Sequence, residues 1–135
     1  MPKRERLEGF PLLHVDLYKD DPAGIGWPEW VKAHGYRRTA PNRGIRFQRI
    51  GPAVEATLSN AGIMMCGLAL IAARVDDGSL SFPFPVSTGS FTGFAYQARF
   101  RTDALARPQV RRFRDWLLAE SRLTEAWLTD MAALP

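Results

Sequence analysis

Cys66 is the only cysteine in the sequence, and His14 and His34 are the only imidazoles that could serve it as a base. It lies between an apolar run beginning at Ile63 and a second beginning at Leu68, a strand-to-helix turn where a helix dipole can activate a thiol. No third residue is spaced to orient either histidine, and cysteine is among the most often buried residue types, so a packing role is favoured. His14 and Asp16, two residues apart, share one face of an alternating segment and resemble an acid–base pair only superficially; a satisfied polar contact is the favoured reading. Asp20-Asp21 and Asp76-Asp77 fall in turns, where aspartate helps the backbone bend, and neither pair is read as a metal site. One cysteine and two histidines allow no internal disulfide and no dense zinc cluster. Gly24-Ile25-Gly26 and Ser87-Thr88-Gly89-Ser90 lack the spaced glycines and lysine of a nucleotide loop. The expectation is therefore a protein that is not an enzyme and carries no cofactor.

Charge offers a second class of chemistry. The net charge is +4, and Lys32, Arg37, Arg38, Arg43, Arg46 and Arg49 follow one another with no acid between them. Arg99, Arg101, Arg107, Arg111, Arg112 and Arg114 form a second basic group. Such stripes can follow a phosphate backbone, with Trp27, Trp30, Tyr36 and Phe47 available to stack on bases. A small basic module that binds nucleic acid or protein is thus the alternative reading. Solvated arginine faces are common, however, and no groove-reading motif is present.

The elements that must hold these residues alternate along the chain. Residues 11–18 alternate with the period of a strand, placing Leu13, Val15 and Leu17 on one face. Residues 26–35 read as a short helix with Pro28 in its first turn and Gly35 as its left-handed stop; its indoles are taken as core. A strand at 45–50 leads into a helix opened by Gly51-Pro52, with Val54, Leu58 and Ala61 as its buried stripe and Gly62 as its end. The short apolar run 63–66 reads as a central strand and 68–75 as a third helix. Residues 80–84 suit an edge strand because of Pro83 and Pro85, 86–92 a loop, and 93–100 a long strand. From Pro108, Val110, Phe113, Trp116 and Leu117 recur at helical spacing, with Arg111 and Asp115 as a surface pair, and the pattern continues through Leu123, Ala126, Trp127 and Met131. Strands alternating with helices imply an α/β layered domain with a largely parallel sheet. In such sheets ligands bind beyond the carboxyl ends of the strands, here after Val15, Phe47 and Met65.

A chain of 135 residues, 46% of them apolar, can bury one core. No run approaches the roughly 18 apolar residues a membrane span requires. The basic start Lys3-Arg4-Glu5-Arg6 has no apolar segment behind it, so a soluble, cytoplasmic protein without a membrane partner is expected.

Gly62-Ile63-Met64-Met65-Cys66-Gly67, Asp77-Gly78-Ser79-Leu80, Phe82-Pro83-Phe84 and the closing Phe113-Arg114-Asp115-Trp116-Leu117 together resemble the effector-binding domain of LysR-type transcriptional regulators, in the branch typified by the glycine-cleavage activator. The resemblance covers about residues 11–121. It implies a type II periplasmic-binding-protein-like α/β fold, in which two lobes joined by crossing strands hold a small molecule between them. Residues 1–10 would be an N-terminal extension, 11–92 the second lobe, and 93–135 a returning hinge strand and the C-terminal helix of the first lobe. The winged helix-turn-helix that contacts DNA in such regulators, and most of the first lobe, have no counterpart in the sequence. By position, the resemblance assigns ligand contacts to Asp16, to Arg49, Ile50 and Gly51, and to Cys66 and Gly67. Arg49 beside the amide groups that open the Pro52 helix would favour a carboxylate effector; the alternative is an arginine facing solvent or paired with Asp16 or Glu55. Homo-oligomerisation is expected as well.

Overall fold

Leu12, Leu13, His14 and Val15 form strand β1 (Leu12–Val15), and all four are buried. The structure is a computed structural model and describes residues 7–23 and 26–135, so the basic start and the Gly24-Ile25 pair lie outside the described residues. β1 is paired on both sides by parallel strands: β2 (Ile45–Phe47), matching Leu13 with Ile45, His14 with Arg46 and Val15 with Phe47, and β3 (Ile63–Met64), matching Leu12 with Ile63 and Leu13 with Met64. The order is β2-β1-β3. β1 is therefore the central strand, and the run at 63–66, expected to be central, supplies a two-residue edge. Its apolar character has another cause: Ile63 and Met65 pack into one hydrophobic cluster, Met64 and Cys66 into the other.

Helices cover the two faces of β1. Helix α1 (Trp27–His34) begins at an extended Gly26, carries Pro28 in its first turn, and ends at Gly35 with φ +69°, whose N–H donates to the Val31 carbonyl at 2.8 Å. Trp27 and Val31 pack with Leu7 and Leu12. The buried Trp27 Nε1–H donates to the Leu13 carbonyl at 3.0 Å, tying the helix to the central strand. Trp30 stacks on Tyr36, meets Phe84, and donates to the Thr88 carbonyl at 3.0 Å, which brings a distant segment onto α1. On the opposite face, helix α2 (Ile50–Leu58) lays the fully buried Ala53 against Val15, with Phe47, Ile50, Met64 and Cys66 around them. The stripe expected at Val54, Leu58 and Ala61 is rotated, because the helix starts at Ile50 and stops before Asn60, which takes the left-handed conformation at φ +60°.

Several expected elements are shorter or do not form. Beyond Val15 no β2 residue continues the ladder, and the chain turns into a 3-10 helix at Asp16–Tyr18 in place of the last strand residues. The helix expected at 68–75 is split into a 3-10 turn (Leu68–Leu70) and α3 (Ala72–Asp76). Residues 80–84 and 93–100 make no strand; the second has no regular secondary structure, with Phe94 and Tyr96 exposed. Gly93 is held at its start by the Asp21 carboxylate, which accepts its N–H at 2.8 Å. The C-terminal pattern is one helix, α4 (Pro108–Ala132), of 25 residues, none of them buried. The architecture is thus α/β, with a small parallel sheet. Among the described residues no helix is long and apolar enough to cross a membrane.

Leu7, within the segment read as an extension, is a core residue at 1% exposure. Its N–H donates to the Tyr36 carbonyl at 3.1 Å, Arg37 reaches the carbonyls of Leu7 and Phe10, and the Glu8 carboxylate accepts from Arg38 and Thr39. Those hydrogen bonds, the one from the Thr39 hydroxyl foremost, hold the Glu8 carboxyl below its ordinary pKa.

Gly44 precedes β2 at φ +143°, where a β-carbon would stand 1.9 Å from the Leu12 carbonyl oxygen. Gly35 also has positive φ, but nothing lies within 4 Å of its missing β-carbon. Gly44→Ala is expected to lower the free energy of unfolding by about 3 kcal/mol or more, and Gly35→Ala by about 1 kcal/mol. Urea denaturation of the two variants measures this; equal losses would show that the approach of Gly44 to β1 is not a constraint.

Candidate functional site

Because the three strands are parallel, their carboxyl ends open on one edge of the sheet, and a cleft of about 180 Å³ lies there beside β1. Asp16, the first residue after β1, and Arg46, whose ladder partner is His14, face each other in it at 3.2 Å. Trp27, Glu29 and Asn42 supply further lining, and Met65 an apolar wall. The Asp16 and Arg46 side chains remain 27% and 51% exposed, so this pair contributes less than about 1 kcal/mol to stability and is available for exchange with a ligand. His14 is buried and its Nε2 meets the Arg43 carbonyl at 3.2 Å, which fixes the turn leading into β2. The polar contact favoured for His14 is thus to backbone and not to Asp16.

The site residues expected from the resemblance are divided between two environments. Asp16 lines the cleft. Arg49 stands at the N-cap of α2, exposed, and its side chain makes no hydrogen bond or ion pair among the described residues; Asp16 is engaged by Arg46 instead. Ile50 and Cys66 come together, but as packing partners beneath α2 around Val15 and Ala53. Gly51 is exposed in the first turn of α2, and Gly67 precedes the 3-10 turn at Leu68. Of the three strand ends singled out as ligand positions, those after Val15 and at Met65 reach the cleft, whereas the turn after Phe47 does not line it. Ile50, Gly51, Arg49, Cys66 and Gly67 are accordingly not cleft residues. Arg46, Trp27, Glu29 and Asn42 are; Arg46 carried a legible signal as one member of an acid-free basic run and Trp27 as an aromatic beside it, whereas Glu29 and Asn42 carried none.

Cys66 and the histidines do not meet as a nucleophile and base. Cys66 packs on the Val15 face of β1, His14 projects from the opposite face, and His34 stacks on Trp30 at 4.8 Å. Burial pushes the Cys66 thiol up to about 11. The aspartate pairs act within the fold: Asp21 caps Ala23 and Gly93, Asp77 accepts from Ser79, and Asp76 accepts from the Trp127 indole at 2.8 Å. Among the described residues no group of three or more His, Cys, Asp or Glu side chains is placed to hold a metal ion. Trp27 and Trp30, candidates for stacking on bases, are committed to the core cluster, Trp27 at 4% exposure.

No family model matches the chain, no curated protein matches it, and no solved structure matches it.

A thiol held near pKa 11 is almost wholly protonated at pH 8, and packing limits access to it. Alkylation of Cys66 by iodoacetamide at pH 8 is therefore expected to be at least about tenfold slower in the folded protein than in urea. The folded rate should climb as pH rises toward 11; equal rates in the two states would refute the buried placement.

Proposed function

We propose that the chain binds a small organic carboxylate and is the effector-sensing portion of a LysR-type transcriptional regulator, cytoplasmic and non-enzymatic, with the fold of the second lobe of a type II periplasmic-binding-protein-like domain. The observation that carries the reading is the cleft at the carboxyl edge of a parallel sheet covered by helices on both faces, where the exposed Arg46 is paired with the half-buried Asp16. An entering carboxylate competes with Asp16 for Arg46 and gains two charge-assisted hydrogen bonds if it meets the guanidinium side-on. Arg49, exposed and without a side-chain partner among the described residues, adds positive potential at the same sheet edge. Segment 93–100, which pairs with no strand among the described residues, suits a returning hinge, because the ladder of such a strand belongs to the other lobe. Sensing would follow from tighter binding to one lobe arrangement than to another, and contact with DNA would belong to a winged helix outside these 135 residues.

Titration with a panel of small mono- and dicarboxylates, followed by the fluorescence of Trp27 in the cleft and by amide chemical shifts, tests the reading. Saturable binding is expected for at least one member. Arg46→Gln should weaken it by about tenfold or more, and Asp16→Asn should tighten it several-fold by removing the internal competitor. The reading fails if no carboxylate saturates the cleft, or if binding is indifferent to both Arg46→Gln and Arg49→Gln. Salt-dependent binding of duplex DNA by the chain alone would instead favour the basic-module alternative.

A further inference from the structure

Residues 88–93 join two elements that form walls of the cleft, and the join does not depend on which molecule the cleft binds. One anchor is on α1, where the Trp30 Nε1–H donates to the Thr88 carbonyl at 3.0 Å. Thr88 is itself held in a 3-10 turn, its N–H and its hydroxyl both donating to the Pro85 carbonyl. The other anchor is on the segment that follows β1: Oδ1 of Asp21 accepts from the Gly93 N–H at 2.8 Å and from the Ala23 N–H at 2.8 Å. That segment carries Asp16 and Lys19 into the cleft, whereas the first turn of α1 carries Trp27 and Glu29 into it. Trp30 meets Trp27 edge-on at 5.7 Å, so the anchor on α1 lies one side chain from the cleft.

The Asp21 anchor requires close approach. Asp21 is 6% exposed, and its second oxygen, Oδ2, is buried without a hydrogen-bond partner among the described residues. Withholding a carboxylate oxygen from water costs free energy, which the two amide bonds to Oδ1 offset. Glycine is needed at the other end of the bond, since a β-carbon on Gly93 would stand 2.6 Å from Pro22 Cγ and 2.9 Å from Asp21 Oδ1. On either side of that bond the chain is open to water, with Phe91 at 97% exposure and Tyr96 at 82%. The five Cα steps from Thr88 to Gly93 span at most about 18 Å, so α1 and the segment after β1 cannot swing far apart while both anchors hold. The chain also links the two directly between Ala23 and Gly26. One link leaves an angle free, and a second fixes it.

We propose that residues 88–93 are a clasp between two walls of the cleft, with Asp21 as its latch. Closed, the clasp holds Asp16 and Lys19 at a set distance from Trp27 and Glu29; open, it lets the walls part. Amide hydrogen exchange of the ligand-free chain, read residue by residue by nuclear magnetic resonance, is the test, and its outcome is separate from whether any carboxylate binds. In Asp21→Ala the Gly93 amide is expected to exchange at least about fivefold faster, and the Lys19 and Trp30 amides, which stand on the two walls, with it. The Ser59 and Ala61 amides, which donate to Glu55 and Ala56 at the end of α2 on the other face of β1, should keep their rates. Asp21→Asn retains an acceptor oxygen and should stay within about twofold of the native rates. Gly93→Ala breaks the same bond from its exposed end and gives the same comparison if Asp21→Ala does not fold. The proposal is overturned if Gly93 is freed while Lys19 and Trp30 keep their rates, because the tie would then not reach the cleft. Equal acceleration in α2 overturns it as well, as a general loss of stability, and so does Asp21→Asn behaving like Asp21→Ala.

Discussion

Everything in the sheet half of the molecule depends on burying one four-residue strand completely. β1 is shorter than a typical strand, yet it is paired on both edges and covered on both faces, so each backbone group must find a partner inside the protein. Close approach is what makes that possible. Gly44 and Gly62 pass so near β1 and the residue before it that a β-carbon would stand 1.9 Å from the Leu12 carbonyl oxygen and 2.6 Å from that of Pro11. Ala53, with its single methyl, lets α2 settle on Val15, while Trp27 fills the other side and caps the Leu13 carbonyl. The interior is thin and depends on small residues at a few points, so its tolerance for added volume is low.

The same constraint gives the cleft its chemistry. With β1 sealed along its length, the polar residues that follow it can project only at its end, and parallel pairing brings the end of β2 to the same edge. Asp16 and Arg46 face each other there because His14 and Arg46 are in register, although their codons lie far apart. His14 gives its ring to the Arg43 carbonyl and steadies the turn that sets that register. An imidazole that looks like chemistry in the sequence is thus part of the scaffold, and an arginine that looks like one cation among many is the group whose charge is accessible.

How much of this was legible differs by element. α1 could be read nearly to the residue, because Pro28 and Gly35 act locally: one fixes φ in the first turn and the other accepts the left-handed conformation at the stop. The long C-terminal helix was legible for a similar reason, its apolar residues recurring at helical spacing from Val110 to Leu117 and again from Leu123 to Met131. Strand identity was not. The run at 63–66 is apolar on both sides, as a central strand would be, but its side chains serve two clusters from an edge, and nothing local distinguishes the two cases. The alternation at 94–98 implies a strand, but a strand exists only when a neighbour offers its ladder, and none does. Arg111 and Asp115 have the spacing of an ion pair, yet Arg111 is drawn to the Leu105 and Ala106 carbonyls and Asp115 is met by Arg114. The site residues followed the same rule: Asp16 was findable as the residue that ends a strand, whereas Glu29 and Asn42 enter the cleft through tertiary placement alone.

The two halves of the chain use their apolar residues differently. Around β1, residues such as Leu12, Leu13 and Ala53 are withdrawn from water almost entirely, whereas α4 has no buried residue and is held by side contacts, among them Trp127 on Asp76 and the approach of Phe113 to Phe100. Complete burial of a large apolar side chain is worth about 1.5–3 kcal/mol, so Phe113, Trp116 and Leu123 contribute to folding only a part of what they could. A 25-residue helix so weakly packed relies on its own composition, rich in leucine, arginine and alanine, which have high helix propensity. Local opening should therefore begin at α4, while β1 and its two covering helices hold until the whole unit unfolds.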